Sequence, residues 1–242
     1  MPPVALRAVL LDLDETLIPE DGPLAAAYLA VARVVHGETA GDAEVSELRA
    51  DLRALWNREA PCPEYRARTH VSASDGLIAE FAGDAPALAA IRRYLPRFRT
   101  AAFPDPELVA LWQRTRVAEQ TAYPHAGAVL DRLRRRVRLG LVTNGTSDLQ
   151  RRKLALAGLA GRFDVVVAAC DIGVGKPDPA MFAAALDALG VAASEAVMVG
   201  NDLDRDIAGA DAAGIPSLWI QHGGNGRADL HDLRELPERL GL

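Results

Sequence analysis

The chain has 242 residues, half of them hydrophobic, which is enough to bury a sizeable core in one large domain or two modest ones. Lys and Arg number 27 against 33 Asp and Glu, so the net charge is −6, and there is no basic block of the kind that neutralises phosphates along a nucleic acid. The two cysteines, Cys62 and Cys170, can form neither a disulfide framework nor a four-thiolate metal site, so a reducing compartment is expected.

The first apolar run, residues 6–13, ends in acids and lacks a Lys/Arg-rich start and a small-residue cleavage site. It therefore predicts a buried strand rather than a secretion signal. No stretch reaches the ~18 uninterrupted apolar residues that a membrane-crossing helix needs. A cytoplasmic protein without a membrane partner is expected.

Over residues 18–122 the apolar periodicity is helical, in the groups Leu24, Tyr28, Val31 and Val35; Val45, Leu48, Leu52 and Leu55; Leu88, Ile91 and Leu95; and Leu108, Leu111 and Thr115. Pro61, Pro63, Pro86, Pro96 and Pro104 punctuate these groups, and Asp105-Pro106-Glu107 reads as a capped helix start. Apolar runs of strand length follow at 137–143, 163–168, 196–200 and 217–220. Helical patterns separate them at 127–136, from Ser147 to near Gly158, at 179–189 and at 206–213. Residues 228–242 read as a surface helix or turns.

Strands with little polar alternation, separated by amphipathic helices, need both faces of their sheet covered. The fold class is therefore α/β with a doubly wound parallel sheet. The span 18–122 is too long for a single crossover helix, which predicts an inserted all-helical domain on a core made of residues 1–17 and 123–242.

The chemistry-bearing residues fall at the predicted carboxyl ends of strands, where open α/β sheets bind ligands. Asp12 and Asp14 close the first strand, and Thr143 and Asn144 in LVTNG close the second. Lys176 lies in GVGKPDP after the third, and Asn201, Asp202, Asp204 and Asp206 crowd into GNDLDRD after the fourth. Each signal alone is a common strand ending or solvated turn, but together they bring acids, a hydroxyl and a cation to one sheet edge.

In this ordered set, DLDETL, LVTNG, GKPDP and GNDLDRD, the sequence resembles the haloacid dehalogenase superfamily, over about residues 4 to 221. The resemblance implies a Rossmann-like five-stranded sheet of order 5-4-1-2-3 beneath a helical cap. It implies Asp12 as nucleophile, Asp14 as acid and base, and Thr143 and Lys176 as holders of the phosphoryl oxygens. Thr16 and Asn144 are expected to bind substrate. Mg²⁺ is the implied cofactor, with Asp12, the Asp14 carbonyl and an acid of the fourth motif as ligands.

Two departures stand out. The family's usual Asp after Gly200 is Asn201, so Asn201 and Asp202 are both candidate metal ligands, with Asp206 expected to bind the ion through water or to support its ligands. Glu15 replaces a common glycine and must fit into the turn or point to solvent.

Asp14 favours phosphorus over carbon as the site of attack, because expulsion of halide needs no proton donor. A Schiff-base phosphonatase needs a cap lysine, and residues 18–123 contain none. The expected activity is hydrolysis of a small phosphomonoester. A phosphosugar mutase and a non-catalytic binder of a phosphorylated ligand are the alternatives. The five histidines, His36, His70, His125, His222 and His231, lack ligand spacing and are expected to be structural or exposed.

Overall fold

The computed structural model describes residues 5–78, 81, 83, 85–224 and 226–242, so Val4 lies outside the described residues. Five strands, β1 (Ala8–Leu11), β2 (Arg138–Thr143), β3 (Val165–Ala168), β4 (Ala196–Gly200) and β5 (Ser217–Trp219), form one sheet in the order β3-β2-β1-β4-β5. Every pairing is parallel, and Leu11 faces both Leu141 and Val199 in register. The flanking strands run one residue (β4) and two residues (β2) past the level of Leu11, so whatever follows the three strands meets at one edge. The observed order is the implied 5-4-1-2-3.

The alternation of β1 shows why a continuous apolar run was needed. Val9 and Leu11 join Leu130, Leu133 and Leu154 on one face, while Ala8 and Leu10 join Met181, Phe182 and Leu189 on the other. The helices covering the two faces are α7 (Ala126–Leu133), α8 (Ser147–Leu156), the short α9 (Ala169–Ile172), α10 (Pro179–Leu189), α11 (Ala208–Ala212) and α12 (Leu236–Arg239). The closing segment is no mere surface piece, since Leu230, Leu233 and Leu236 are buried against the Val9 face. Its apolar residues are spaced by two short turns, which conceals the buried stripe in the sequence.

Between β1 and β2 lie helices α1 (Asp21–His36), α2 (Asp42–Glu59), α3 (Pro63–Thr69), α4 (Ala73–Ile78), α5 (Pro86–Ala102) and α6 (Pro106–Ala118). They share a core that includes Trp56, Phe98 and Trp112, and Leu149 and Cys170 from the sheet side extend it. Asp105 caps α6 by accepting from the Glu107 N–H at 2.8 Å, with Pro106 in the first turn. The buried face of α6 is Val109, Trp112 and Arg116, one residue on from the expected Leu108, Leu111 and Thr115. A buried arginine misled the apolar count there. Val35, expected on the apolar face of α1, is 50% exposed. None of the described helices is long and apolar enough to cross a membrane.

Candidate active site

Asp12 follows β1 directly, and its N–H donates to the Val199 carbonyl at 3.0 Å, which continues the ladder one step past the strand. Lys176 Nζ lies 2.6 Å from Asp12 Oδ1 and 2.6 Å from Asp206 Oδ1. Lys176 is 2% exposed, so its ammonium has exchanged water for two carboxylates brought by separate strands. Burial pulls the Lys176 pKa down, but Asp12 and Asp206 outweigh it and hold the ammonium above the ordinary lysine value. Burial pushes the Asp12 carboxyl up to about 7 against the pull of Lys176, with Asp206 and Asp14 adding to the rise.

The loop carrying Lys176 is held by Asn144. Its Oδ1 accepts from the Lys176 N–H at 2.7 Å and its Nδ2 donates to the Lys176 carbonyl at 3.2 Å, so both ends of the amide grip lysine backbone. Gln150 Nε2 donates to the Asn144 carbonyl at 2.6 Å from below. Thr143 is buried at the end of β2 and lines the same cleft of about 180 Å³ as Asp12, Asp14, Lys176 and Asn201. Gly175 allows the close approach here, because a Cβ would sit 2.7 Å from Asn144 Oδ1 and 2.9 Å from His70 Cδ2. Gly200 does the same for the fourth motif, where a Cβ would lie 2.3 Å from Asp206 Oδ2.

Not every acid of that motif faces the cleft with a free oxygen. Asp202 Oδ1 accepts from the N–H groups of Asp204 and Arg205 at 3.0 and 2.9 Å, capping a widened turn over Leu203–Ile207. Asp206 gives Oδ1 to Lys176, and its Oδ2 accepts from the Asp202 N–H at 3.0 Å. Asn201 Oδ1 and Asp12 Oδ2, by contrast, each have one long hydrogen bond among the described residues, both from Thr16 Oγ1 at 3.4 Å. Among the described residues no three acid, histidine or cysteine side chains form a ready metal cage. The under-satisfied set is two side-chain oxygens beside the Asp14 backbone, all hard donors, and it suits Mg²⁺ better than a softer ion.

A second charged group, which the sequence reading did not assemble, lies behind Asp14. Lys153 Nζ, on α8, is 2.9 and 3.0 Å from the two Asp14 oxygens and 3.2 Å from Glu20 Oε1. Arg116 of α6 binds the same Glu20 oxygen. Lys153 is 4% exposed and Arg116 1%. The signal was present but faint: Lys153 shares the buried face of α8 with Leu149, Gln150 and Leu154. A lysine at that spacing is either paired or misplaced.

Glu15 fits into the turn rather than pointing to solvent. Its Oε1 accepts from the Glu20 and Asp21 N–H groups at 2.6 and 2.8 Å, and its Oε2 accepts from the Tyr123 hydroxyl at 2.7 Å. One carboxylate thus caps the start of α1 and ties the outgoing chain to the returning one. His222 stacks on Tyr123 with ring centroids 3.6 Å apart, and its Nε2 lies 2.9 Å from the Thr16 carbonyl, as expected of a structural histidine. His70 is half-buried beside Gly175, and burial above all lowers its pKa, with Arg205 adding to the effect. The helical insertion meets the sheet edge again through backbone: Gly145 N–H donates to Thr69 O at 3.1 Å and Gly175 N–H to Arg68 O at 2.8 Å. Within the core of the helical insertion, Trp56 also lines a cavity of about 690 Å³.

The haloacid dehalogenase-like hydrolase family matches residues 6–214. The chain belongs to that family. Among relatives, a phosphoserine phosphatase of Thermus thermophilus is 37% identical over 232 residues, covering 90% of each chain. An N-acylneuraminate-9-phosphatase of Rattus norvegicus is 31% identical over 90% of this chain and 84% of its own. In structure, the magnesium-bound HAD-hydrolase YfnB of Bacillus subtilis superposes with a TM-score of 0.67 over 98% of this chain and 100% of its own, at 18% identity, a likeness of fold. In this haloacid dehalogenase-like hydrolase, Asp12 and Asn201 directly follow β1 and β4, Thr143 ends β2, and Lys176 lies in the loop after β3 and α9.

Proposed function

We propose that the protein is a Mg²⁺-dependent phosphatase that hydrolyses a small phosphorylated metabolite through an aspartyl phosphate on Asp12. The observation that carries this reading is the buried contact of Lys176 with Asp12 at 2.6 Å at the carboxyl edge of the sheet, with Asp14 as a second acid two residues on. Phosphoryl transfer asks chiefly for in-line positioning and neutralisation of spread charge.

Asp12 attacks phosphorus, forming an acyl phosphate as the ester P–O bond breaks. Asp14 gives its proton to the leaving oxygen, then takes one from the water that opens the acyl phosphate and frees Asp12. Lys176 acts as a fixed point charge beside the nucleophile, and the Thr143 hydroxyl and turn N–H groups hold phosphoryl oxygens. Asp12, the Asp14 carbonyl and Asn201 would hold Mg²⁺, which supplies charge neutralisation for the phosphoryl oxygens. Asn201 is preferred to Asp202 because Asp202 Oδ1 caps its own turn and its Oδ2 lies 3.5 Å from Arg205 Nε. Asn201→Asp restores an anionic ligand and is expected to lower the half-saturating Mg²⁺ concentration.

The leaving group is assigned to the larger cavity, which meets the cleft at Glu20 and carries Arg49, Arg53, Tyr28 and Ser74. Two arginines on successive turns of α2 favour a leaving group with a carboxylate. The test is release of inorganic phosphate from p-nitrophenyl phosphate and from a panel of phosphorylated metabolites with Mg²⁺. EDTA and Asp12→Asn should each abolish turnover. Tight phosphate binding without turnover would replace the enzyme by a binder, and isomerisation without phosphate release would replace it by a mutase.

A further inference from the structure

We propose that Lys153 is a positioning residue for Asp14, holding its carboxylate from behind so that the open side faces the leaving group. The inference rests on the phosphatase reading above for what Asp14 does, but not for where Asp14 is held. Three observations carry it.

Lys153 reaches both Asp14 oxygens, at 2.9 and 3.0 Å, so its ammonium is centred on the carboxylate and holds the group in place from one side. The two sides of the pair differ in access: the Lys153 side chain is 4% exposed and that of Asp14 is 31%, and Asp14 lines the cleft that holds Asp12 and Lys176. Gln150, one turn before Lys153 on α8, points its Nε2 at Asp14 Oδ2 from 3.4 Å while anchoring Asn144 at 2.6 Å, so the hold on Asp14 and the hold on the Lys176 loop come from one helix face.

The third donor direction of the ammonium goes to Glu20 at 3.2 Å, and Glu20 is in turn bound by Arg116 from the cap. Lys153 therefore stands between the acid of the core and the first residue of the cap linker that carries charge. An unrestrained Asp14 would swing about its χ1 bond, and a proton donor displaced by about 1 Å loses on the order of 100-fold in rate.

The experiment compares kcat and KM of wild type, Lys153→Met and Lys153→Arg on p-nitrophenyl phosphate and on the best alkyl phosphomonoester from the metabolite panel, together with a crystal structure of Lys153→Met. The aryl ester has a good leaving group and the alkyl ester depends on proton donation. For Lys153→Met the alkyl kcat should fall about 100-fold and the aryl kcat less than about tenfold, with KM for both within about threefold. Lys153→Arg, which keeps the positive charge and can reach both Asp14 oxygens, should recover most of the alkyl turnover. In the crystal structure the Asp14 carboxylate should leave its present position.

Equal losses on the two esters, or an Asp14 that stays in place in Lys153→Met, would overturn the proposal. Should the methionine variant not fold, Lys153→Gln is read by the same ratio of alkyl to aryl turnover and the same crystallographic position. Failure of the phosphatase reading looks different: wild type would release phosphate from neither ester, or Asp12→Asn would remain active, and the position of Asp14 in the variant crystal would still decide the role of Lys153.

Discussion

Lys176 and Lys153 are the only lysines in the chain; all other basic side chains apart from the histidines are arginine. Both lysines are buried with the ammonium between two carboxylates, yet their surroundings differ in charge and in construction. Around Lys176 one cation faces two anions, Asp12 and Asp206. Around Lys153, two cations (counting Arg116) face two anions, Asp14 and Glu20. With all its carboxylates ionised, the first group carries one unbalanced negative charge at the sheet edge and so invites a further cation, whereas the second is neutral. The first is built from a strand end, a loop and the helical turn after β4, while the second reaches from α8 across Glu20 to α6. The difference teaches that one group is arranged to receive charge from outside and the other to hold a side chain still.

The sharpest way to break this contrast is Lys176→Met, which leaves Asp12 and Asp206 facing each other without a cation. Removing one partner of a buried pair costs about 3–5 kcal/mol. A melting temperature lower by about 10 °C is expected for a chain of this size. Turnover of p-nitrophenyl phosphate should also fall at least about 100-fold. A variant as stable and active as wild type would remove the distinction between the two lysines.

Arg116→Met is the matching change in the balanced group. Glu20 keeps Lys153, so a loss of only about 1–2 kcal/mol is expected in urea unfolding, with aryl phosphate turnover changed by less than about threefold. A loss as large as that of Lys176→Met would show that the cap-side pair carries as much as the site pair.

The unbalanced charge also predicts a pH dependence. The folded Asp12 pKa, up to about 7, lies above its unfolded value. Its contribution to the stability of the metal-free protein is therefore full below the ordinary carboxylate pKa and is lost as pH rises through about 7. Mg²⁺ competes with that proton, so the rise in melting temperature on adding Mg²⁺ should be small at pH 5.5 and grow towards pH 8. Thermal scans with Mg²⁺ and with EDTA at each pH check this, and an Mg²⁺ effect that shrinks as pH rises would contradict it.

The smallest effect is expected from Glu15→Gly. Glu15 sits at φ 58°, a left-handed conformation that favours glycine, but its carboxylate accepts three hydrogen bonds. Relief of backbone strain and loss of those bonds nearly offset, leaving stability within about 1 kcal/mol of wild type. A much larger loss would make the tie between Glu15 and Tyr123 a principal support of the cap linkers.

Much of the site was readable because strand ends are a local feature. A run such as that of β1 has to stop where Asp12 begins, and its neighbours in register stop within two residues of that level. The placement of Asp12, Thr143 and Asn201 at one edge thus follows from apolar periodicity and the parallel sheet. The face of α6 was misread by one residue because Arg116, a charged residue, occupies a core position. The lining of the site from behind was not readable either: Lys153 and Glu20 are 133 residues apart, Arg116 and Glu20 are 96 apart, and no pattern of nearby residues connects them.

The sequence by itself determined the class of sheet, the helical nature of the insertion and the residues that could carry chemistry, because these depend on periodicity and on turns a few residues long. Only the tertiary structure decided which of those residues are already satisfied. It left Asn201 with an under-used oxygen while closing Asp202 on its own turn, turned Asn144 onto the backbone of Lys176, and placed Lys153 behind Asp14. The physical reason is that a buried polar atom takes whichever partner the packing of distant helices brings within about 3 Å.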